Sequence, residues 1–457
     1  MAKRVTAIVL AAGQGTRMKS NKPKILHAAA GRPLIDHVVK NLLAAGVDEL
    51  RLVVGFGAQE VKEHLSGQSQ IKFFSQEEQK GTADAVRSAE VDSIDGTILI
   101  CNGDHPLITA GDYESVINYF NEVNCDILVV SCEVKSPFGF GRVVRSQKGR
   151  VMSIVEERDA NAEERRIREI NSGLYVVRSE VLKELLPQIK NNNAKKEFYI
   201  TDMISLGLAQ GLKVEGSQQA LRVVRGVNTQ FELSLASRAL YRRKTKSLMD
   251  DGVVFLDPFH VYIDLDVEIG MGTVVQPGVI ISGETVIGKN CLIEAYSSIK
   301  DAKISDNVEI RWGTLVEKSV IGRGALIGPY ARLRPESIIG EEAHVGNFVE
   351  LKKTNLGARA KANHLAYLGD AEIGEETNIG CGTITCNYAT DKKKYKTKIG
   401  KRVFVGSDTQ FVAPITVGDG AVIGSGSTIT KDVPAGALAV ARGKQFIKED
   451  YSPKKGS

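Results

Sequence analysis

Residues 263–299, IDLDVEIGMGTVVQPGVIISGETVIGKNCLIEAYSSI, decide the fold of half the chain. Ile263, Ile269, Val275, Ile281, Ile287, Ile293 and Ile299 stand six residues apart. The spacing slips by one at Ile304, continues through Ile310 and Val316, slips again at Ile321, and runs through Ile327, Leu333, Ile339, Val345 and Leu351. It resumes at Ile373 and Ile379, and later at Ile399, Val405, Phe411, Val417, Ile423 and Ile429. A period of six is neither that of a helix nor that of a strand. It is the period of a parallel β-helix built from hexapeptides, in which each hexad gives a short strand and a turn. Three hexads close one coil, and stacked coils bury the spaced aliphatics in a continuous core. Two interruptions read as departures from that prism. One holds His364, and the other is a lysine-rich stretch from Tyr388 to Lys398.

The totals set bounds. A chain of 457 residues exceeds one ordinary core, so two or three domains are expected. Its 45 glycines suit many tight corners. A net charge of +5, with basic residues in both halves, suits phosphorylated small substrates and argues against nucleic acid as a partner. Cys101, Cys125, Cys132, Cys291, Cys381 and Cys386 form no CxxC pair and read as reduced thiols of a cytoplasmic protein. Met1-Ala2-Lys3-Arg4 opens no signal peptide, and no run nears the ~20 apolar residues of a span, so no stable membrane insertion is expected. The polar tail, 448–457, is expected to fray.

The first half alternates. Val5 to Leu10 is a short apolar run of the kind buried in a parallel sheet, and a helical pattern, Leu34 to Ala45, follows. Glu49 to Val54, Ile71 to Phe74, Thr97 to Cys101 and Asp126 to Cys132 read as further strands. The alternation predicts an α/β, doubly wound, Rossmann-like sheet whose ligands sit at the carboxyl ends of its strands.

The motifs of this half follow strands. In Ala11-Ala12-Gly13-Gln14-Gly15-Thr16-Arg17-Met18, Gly13 and Gly15 let backbone N–H groups approach an anion. The Gly-Lys-Ser/Thr ending of a Walker loop is missing, and Met18 stands where G-x-G-x-x-G needs its third glycine. Alone, the loop is an ordinary strand-to-helix turn. Arg17 and Lys24, the latter after Pro23, add two cations able to embrace a triphosphate. Asn102-Gly103-Asp104-His105-Pro106-Leu107 follows the Thr97–Cys101 strand. A lone Asp in a turn is more often structural, but one beside a phosphate loop is placed to hold Mg²⁺. His105 reads as a cover for that turn.

Leu10-Ala11-Ala12-Gly13-x-Gly15-Thr16-Arg17-Met18 followed by Pro23-Lys24 resembles the signature of the sugar-phosphate nucleotidyltransferases. The resemblance implies that Leu10, Ala11, Ala12, Gly13, Arg17 and Lys24 meet a nucleotide. It implies that Gln76, Gly81 and Thr82, in the polar run 76–82, read the base; a side-chain amide offers a pyrimidine edge both a donor and an acceptor. By the same resemblance Gly141 (in Phe138-Gly139-Phe140-Gly141-Arg142), Glu156 and Asn171 contact the sugar. Asn228, in Gly226-Val227-Asn228, is by analogy a second Mg²⁺ ligand. Each of these alone reads as a loop or cap residue; their order carries the weight.

Residues 1–229 are thus expected to form one domain. Residues 230–250, free of Gly and Pro, are expected to form a linker helix of ~30 Å. Its Arg238, Arg242, Arg243, Lys244 and Lys246 read as a solvated face. Residues 251–457 then carry the hexads.

In the hexad half, Lys361-Ala362-Asn363-His364-Leu365-Ala366-Tyr367-Leu368-Gly369-Asp370 offers an imidazole able to take a proton near neutral pH. A histidine satisfied in a corner is the bland alternative. Arg334 and Lys352 are 18 residues apart, one full coil, and should stack on one side as a phosphate site. Asn378 could bind sugar hydroxyls. Cys386 is a rival nucleophile, more plausibly a structural thiol.

The stretches 364–370 and 382–388, on hexads behind such a nucleotidyltransferase domain, complete a second resemblance. Nearly the whole chain resembles the family of bifunctional N-acetylglucosamine-1-phosphate uridyltransferases and glucosamine-1-phosphate N-acetyltransferases. That implies a left-handed β-helix, UTP and acetyl-coenzyme A as co-substrates with Mg²⁺ in the first domain, and a homotrimer whose acetyl sites lie where subunits meet. It implies His364 as the base, Arg334, Lys352, Tyr367 and Asn378 around glucosamine 1-phosphate, and Cys381, Asn387, Tyr388, Lys394, Ser407, Ser425 and Arg442 along the coenzyme. Two other readings stay open. One is a nucleotidyltransferase with a regulatory β-helix, of the ADP-glucose pyrophosphorylase type. The other is a scaffold that uses its β-helix only to trimerise.

Overall fold

The structure is a computed structural model and describes residues 4–220, 222, 225–449 and 451. The first three residues and most of the polar tail lie outside the described residues. The chain forms two compact units, Met1–Leu240 and Tyr241–Ser457. The division falls inside one continuous helix, Gln230–Asp250.

The first unit is built on a sheet whose main path runs Val214–Gln218, Ile127–Glu133, Glu169–Arg178, Thr97–Asn102, Val5–Ala11, Glu49–Val54 and Ile71–Ser75. The strands are parallel except Glu169–Arg178, which runs antiparallel to both neighbours. Helices cover both faces, as two separate apolar clusters record: one gathers Leu34–Ala44 and Ala110–Val123, the other Thr82–Ser88, Ser179–Leu185 and Asp202–Ala209. The inner strands, such as Val5–Ala11, Glu49–Val54, Thr97–Asn102 and Ile127–Glu133, are therefore buried on both sides and read as near-continuous apolar runs. Strand order reverses at Val5–Ala11, which pairs with Glu49–Val54 on one side and Thr97–Asn102 on the other. A crevice opens at the carboxyl ends of such strands.

The antiparallel strand was not expected from a doubly wound reading. It carries Asn171 on an irregular stretch, with the register to Ile127–Glu133 shifting between Asn171 and Tyr175. A bulge of this kind re-aims a side chain at the rim of a sheet. Gly173, in the bulge, has φ +75°, and a Cβ there would lie 2.4 Å from Asn102 Nδ2.

The second unit is a triangular, left-handed prism of three parallel sheets of 11, 10 and 9 strands. Up to the last coil each strand pairs with the third one after it, so three strands make a coil; there Val422–Ile423 pairs with Leu438–Ala439, the second after it. Every aliphatic of the six-residue series is buried. One expectation fails here. The chain does not leave the prism around His364: Leu356, Ala362 and Leu368 fill the inward positions, and Val345 pairs with Ala362 and Leu351 with Leu368. The interruption is chemical, because Ala362 is too small to register as a large aliphatic and the preceding coil is one residue short. The second interruption is a true excursion. Asn378 pairs with Phe404, 26 residues on, whereas Phe404 pairs with Val422, 18 residues on. The surplus forms the loop after Asn387, folded back by a bridge between Tyr388 and Lys394.

Candidate active sites

At the switch point of the first unit, two adjoining cavities share Leu10, Thr82 and Asn102. The smaller, about 330 Å³, is lined by Ala11, Ala12, Gly13, Lys24, Gln76, Gly81 and Asp104. Gly15 has φ +64°, and a Cβ on it would sit 2.7 Å from Lys24 Cβ, so glycine there lets the lysine cross the loop. A Cβ on Gly13 would meet nothing within 4 Å, which leaves the loop's inner side open to an anion. Lys24 Nζ donates to Asp104 Oδ2, and to Asn228 Oδ1 at 3.1 Å. Burial alone would raise the Asp104 carboxyl, but the charges of Lys24 and His105 and the Lys24 hydrogen bond hold it below the usual carboxylate range. Asp104 Oδ1 is buried without a hydrogen-bond partner, and His105 Nε2 lies 3.5 Å from it. Two hard oxygens bridged by an ammonium, and one carboxylate oxygen that accepts no hydrogen bond, fit a hard divalent cation whose remaining ligands are water and phosphate. Among the described residues no cluster of three His, Cys, Asp or Glu side chains accompanies them.

The strap that brings in Asn228 is held to the Asp104 turn by Val227 N, which donates to Asp104 O at 2.9 Å. Gln76 donates through Nε2 to Gly81 O at 3.2 Å and to Asp84 at 2.8 Å, and Thr82 Oγ1 accepts from Ile200 N at 3.0 Å. Arg17 is exposed and does not line either cavity.

The larger cavity, about 810 Å³, is lined by Gly141, Glu156, Asn171, Thr201 and Asn228 among others. A Cβ on Gly141 would lie 3.2 Å from Glu156 Oε1. Burial raises Glu156; Lys195 opposes, and Asp159, Asp202 and Glu197 add to the rise. Asn171 is locked by Nδ2 to Tyr175 OH at 2.6 Å and by Gly173 N to its Oδ1 at 3.1 Å. Sequence reasoning passed over Gln79, whose Nε2 donates to Ala12 O at 2.7 Å, and over Asn102 and Thr201. Asn102 carried a signal, standing at the end of a strand directly before Gly103-Asp104.

In the prism, register sorts the singled-out residues into columns. Asn347 pairs with His364, and continuing the ladder puts Cys381, Ser407 and Ser425 above it on successive coils. Backbone bonds from Gly382 N to Leu365 O and from Gly426 N to Ser407 O follow the same corner, and Arg442 Nη1 reaches back to Ser425 O at 2.8 Å. A second column lies across the next face. Leu333 pairs with Leu351, so Arg334 and Lys352 follow one another one coil apart, with Gly369 next. Arg334 donates to Glu350 at 2.9 Å. A Cβ on Gly369 would stand 2.5 Å from Tyr367 OH and 2.7 Å from Asn387 Nδ2, so both groups converge over a bare backbone. Asn387 donates to Asp370. Lys394 lies against Lys352, and hydrogen bonding and charge from that lysine lower its pKa. Two ammonium groups side by side suit an anion. Lys394 thus stands beside the Arg334–Lys352 column. Asn378 pairs with Lys361, and His364 and Tyr388 are exposed.

The fold and these two centres define a class: a nucleotidyltransferase unit joined to a hexapeptide-repeat transferase unit. Family models agree in both halves. Nucleotidyl transferase matches residues 6–219, the GMPPB C-terminal domain 260–361, and bacterial transferase hexapeptide (six repeats) 396–431. The Bifunctional protein GlmU of Bdellovibrio bacteriovorus is 56% identical over 98% of this chain and 98% of its own. Those of Staphylococcus haemolyticus (45% identical; 98% and 99% covered) and Halalkalibacterium halodurans (41%; 99% and 99%) are also similar throughout. The chain belongs to the GlmU family of bifunctional proteins.

Proposed function

We propose that the crevice of the first unit seats UTP in its smaller cavity and N-acetylglucosamine 1-phosphate in its larger one, and that the prism acetylates glucosamine 1-phosphate from acetyl-coenzyme A. As a member of its family the chain is a bifunctional transferase of UDP-N-acetylglucosamine synthesis, with uridylyl and acetyl transfer carried out by its two halves. The observation that carries the residue-level reading is the Lys24 ammonium held between Asp104 and Asn228 at the switch point.

In the uridylyl reaction an oxygen of the sugar phosphate attacks the α-phosphorus of UTP, and the bond to the leaving pyrophosphate breaks. Such transfers need positioning and charge neutralisation more than covalent help. Asp104 and Asn228 would hold Mg²⁺, which supplies positive charge to the phosphates when bound. Lys24 and Arg17 offset the rest, Leu10 to Gly13 cradle the phosphates, and Gln76, Gly81 and Thr82 face the base. Gly141, Glu156 and Asn171 hold the sugar.

In the acetyl reaction His364 takes the proton of the amine as nitrogen attacks the thioester carbonyl. The C–N bond forms, the C–S bond breaks, and the coenzyme leaves as its thiol. Arg334 and Lys352, with Lys394 beside them, hold the sugar phosphate, and Tyr367 and Asn378 hold the ring. Asn387, Tyr388, Cys381, Ser407, Ser425 and Arg442 line the coenzyme. Backbone N–H groups near Ser407 stabilise the oxyanion.

The working form in this reading is a cytoplasmic homotrimer with no nucleic-acid or membrane partner. No helix among the described residues is long and apolar enough to cross a membrane. One observation supports the trimer. An exposed ladder, Tyr296–Trp312–Tyr330–Phe348, with ring centroids 5.1–5.8 Å apart, leads along one corner toward Leu365 beside His364. A coupled assay from glucosamine 1-phosphate, acetyl-coenzyme A and UTP tests the whole. Wild type should release pyrophosphate, and His364→Ala should do so only when N-acetylglucosamine 1-phosphate is supplied. No acetyl-coenzyme A consumption by wild type would return the prism to a regulatory role.

A further inference from the structure

Gln76 lines the smaller cavity of the first unit from a buried position, 7% exposed. Both hydrogens of its amide nitrogen are committed. Nε2 donates to Asp84 Oδ2 at 2.8 Å and to Gly81 O at 3.2 Å. A carboxylate and a backbone carbonyl can only accept, so their chemistry decides which end of the amide faces them. The other end, Oε1, accepts no hydrogen bond within the described residues, yet it is not sealed in the interior. The donor and acceptor that an amide offers are thus reduced, at this cavity, to an acceptor.

The two anchors are unequal. Gly81 O is shared with Ala85 N, 3.1 Å away. Asp84 gives the shorter bond, and a charged acceptor gives the stronger one. Asp84 stands in the first turn of the Thr82–Ser88 helix, where an acid ordinarily does no more than stabilise the helix end. Here the turn is pinned on both sides of it. Ala83 and Ala85 are buried, Ala83 N donates to Phe198 O at 2.9 Å, and Thr82 Oγ1 accepts from Ile200 N at 3.0 Å. The carboxylate is therefore presented to Gln76 from a fixed frame.

We propose that Asp84 is a positioning residue for base selection: it holds the Gln76 amide with its oxygen toward the nucleobase, so that the crevice takes a pyrimidine whose N3 carries a hydrogen and turns away one whose N3 is a bare acceptor. This rests on the reading of the smaller cavity as the UTP seat. Uracil offers N3–H to Oε1. Cytosine offers a lone pair, and two acceptors then face each other unpaired. A site whose polar group is left without its partner rejects the analogue.

Uridylyl transfer with UTP and CTP as competing substrates reads the ratio of their kcat/KM values. Wild type should favour UTP. In Asp84→Ala the amide is free to turn its Nε2 toward cytosine N3, and the UTP-to-CTP ratio should fall about tenfold, the worth of one hydrogen bond. KM for N-acetylglucosamine 1-phosphate and the acetyl-transfer rate should stay put. Asp84→Asn, whose Oδ1 still accepts from Nε2, should keep most of the wild-type ratio. An acid that only stabilised its helix would, on removal, slow both nucleotides alike; an unchanged ratio in Asp84→Ala overturns the proposal. So does a wild type that uses the two nucleotides equally. Should Asp84→Ala fail to fold, Asp84→Leu, close in size and without an acceptor, takes its place. A wild type that transfers neither nucleotide would instead sink the reading of the cavity itself.

Discussion

Asp104 and Glu156 are two carboxyl groups of one crevice pushed in opposite directions. Asp104 is held below the ordinary range: burial would raise it, but Lys24 and His105 prevail. A carboxylate depressed in the native state adds stability that is present above its unfolded pKa and lost as pH falls through the native one. Glu156 is raised by burial against Lys195, so the native state holds its proton more tightly than the unfolded chain does, and its contribution to stability declines as pH climbs through the raised value. The two should separate in kinetics. On acidification, KM for N-acetylglucosamine 1-phosphate should rise at a pH above the ordinary glutamate value, before Asp104 titrates. Glu156→Gln should remove that inflection, leaving only the ionisation of the substrate's own phosphate. Asp104→Asn, by contrast, should cut uridylyl kcat/KM about a hundredfold or more and shift the Mg²⁺ concentration needed for half activity, since a charged group facing the reacting phosphates is lost. Undisturbed Mg²⁺ dependence would remove Asp104 from the metal's ligands.

Among the elements, the coil and the loop make different predictions. Ile310 is fully buried in the middle of the prism. Ile310→Ala should cost about 2–5 kcal/mol in denaturant unfolding of the hexad half, because stacked coils relax poorly into a cavity. Replacing residues 388–395 by a short glycine turn should leave the coil intact, since Thr397 and Ile399 still pair with Ala371 and Ile373 below, but should abolish acetyl transfer. The coil was legible because its period belongs to no other element, and every residue of the series is buried. Its continuation past His364 was not legible, because Ala362 fills an inward position with a single methyl. The antiparallel strand carrying Asn171 was hidden for another reason: a strand buried on both faces has the same apolar run in either direction. In the crevice, glycines and charged residues announced themselves. Gln79 did not, since what marks it is a long-range hydrogen bond, which leaves no spacing in the sequence.

The whole molecule joins two reactions in one chain, each with its own residues. His364→Ala and Asp104→Asn should therefore be complementary: mixed in equal amounts, they should convert glucosamine 1-phosphate to the nucleotide sugar, with the acetylated intermediate passing through solution. If neither variant retained the other's activity while both stayed folded, the two centres would not be separable.

The pairing of each strand with the third one after it, kept up to the last coil, makes length a quantised variable. Removing one hexad would turn everything downstream by a third of a revolution, so that His364 would face where another wall had been. Removing 18 residues would leave every azimuth unchanged and merely lower the upper storeys by one rung, about 4.8 Å. The coils from Val274 to Ile299, below both columns, are thus the part of the chain that can be shortened or extended in whole turns while the chemistry above keeps its orientation.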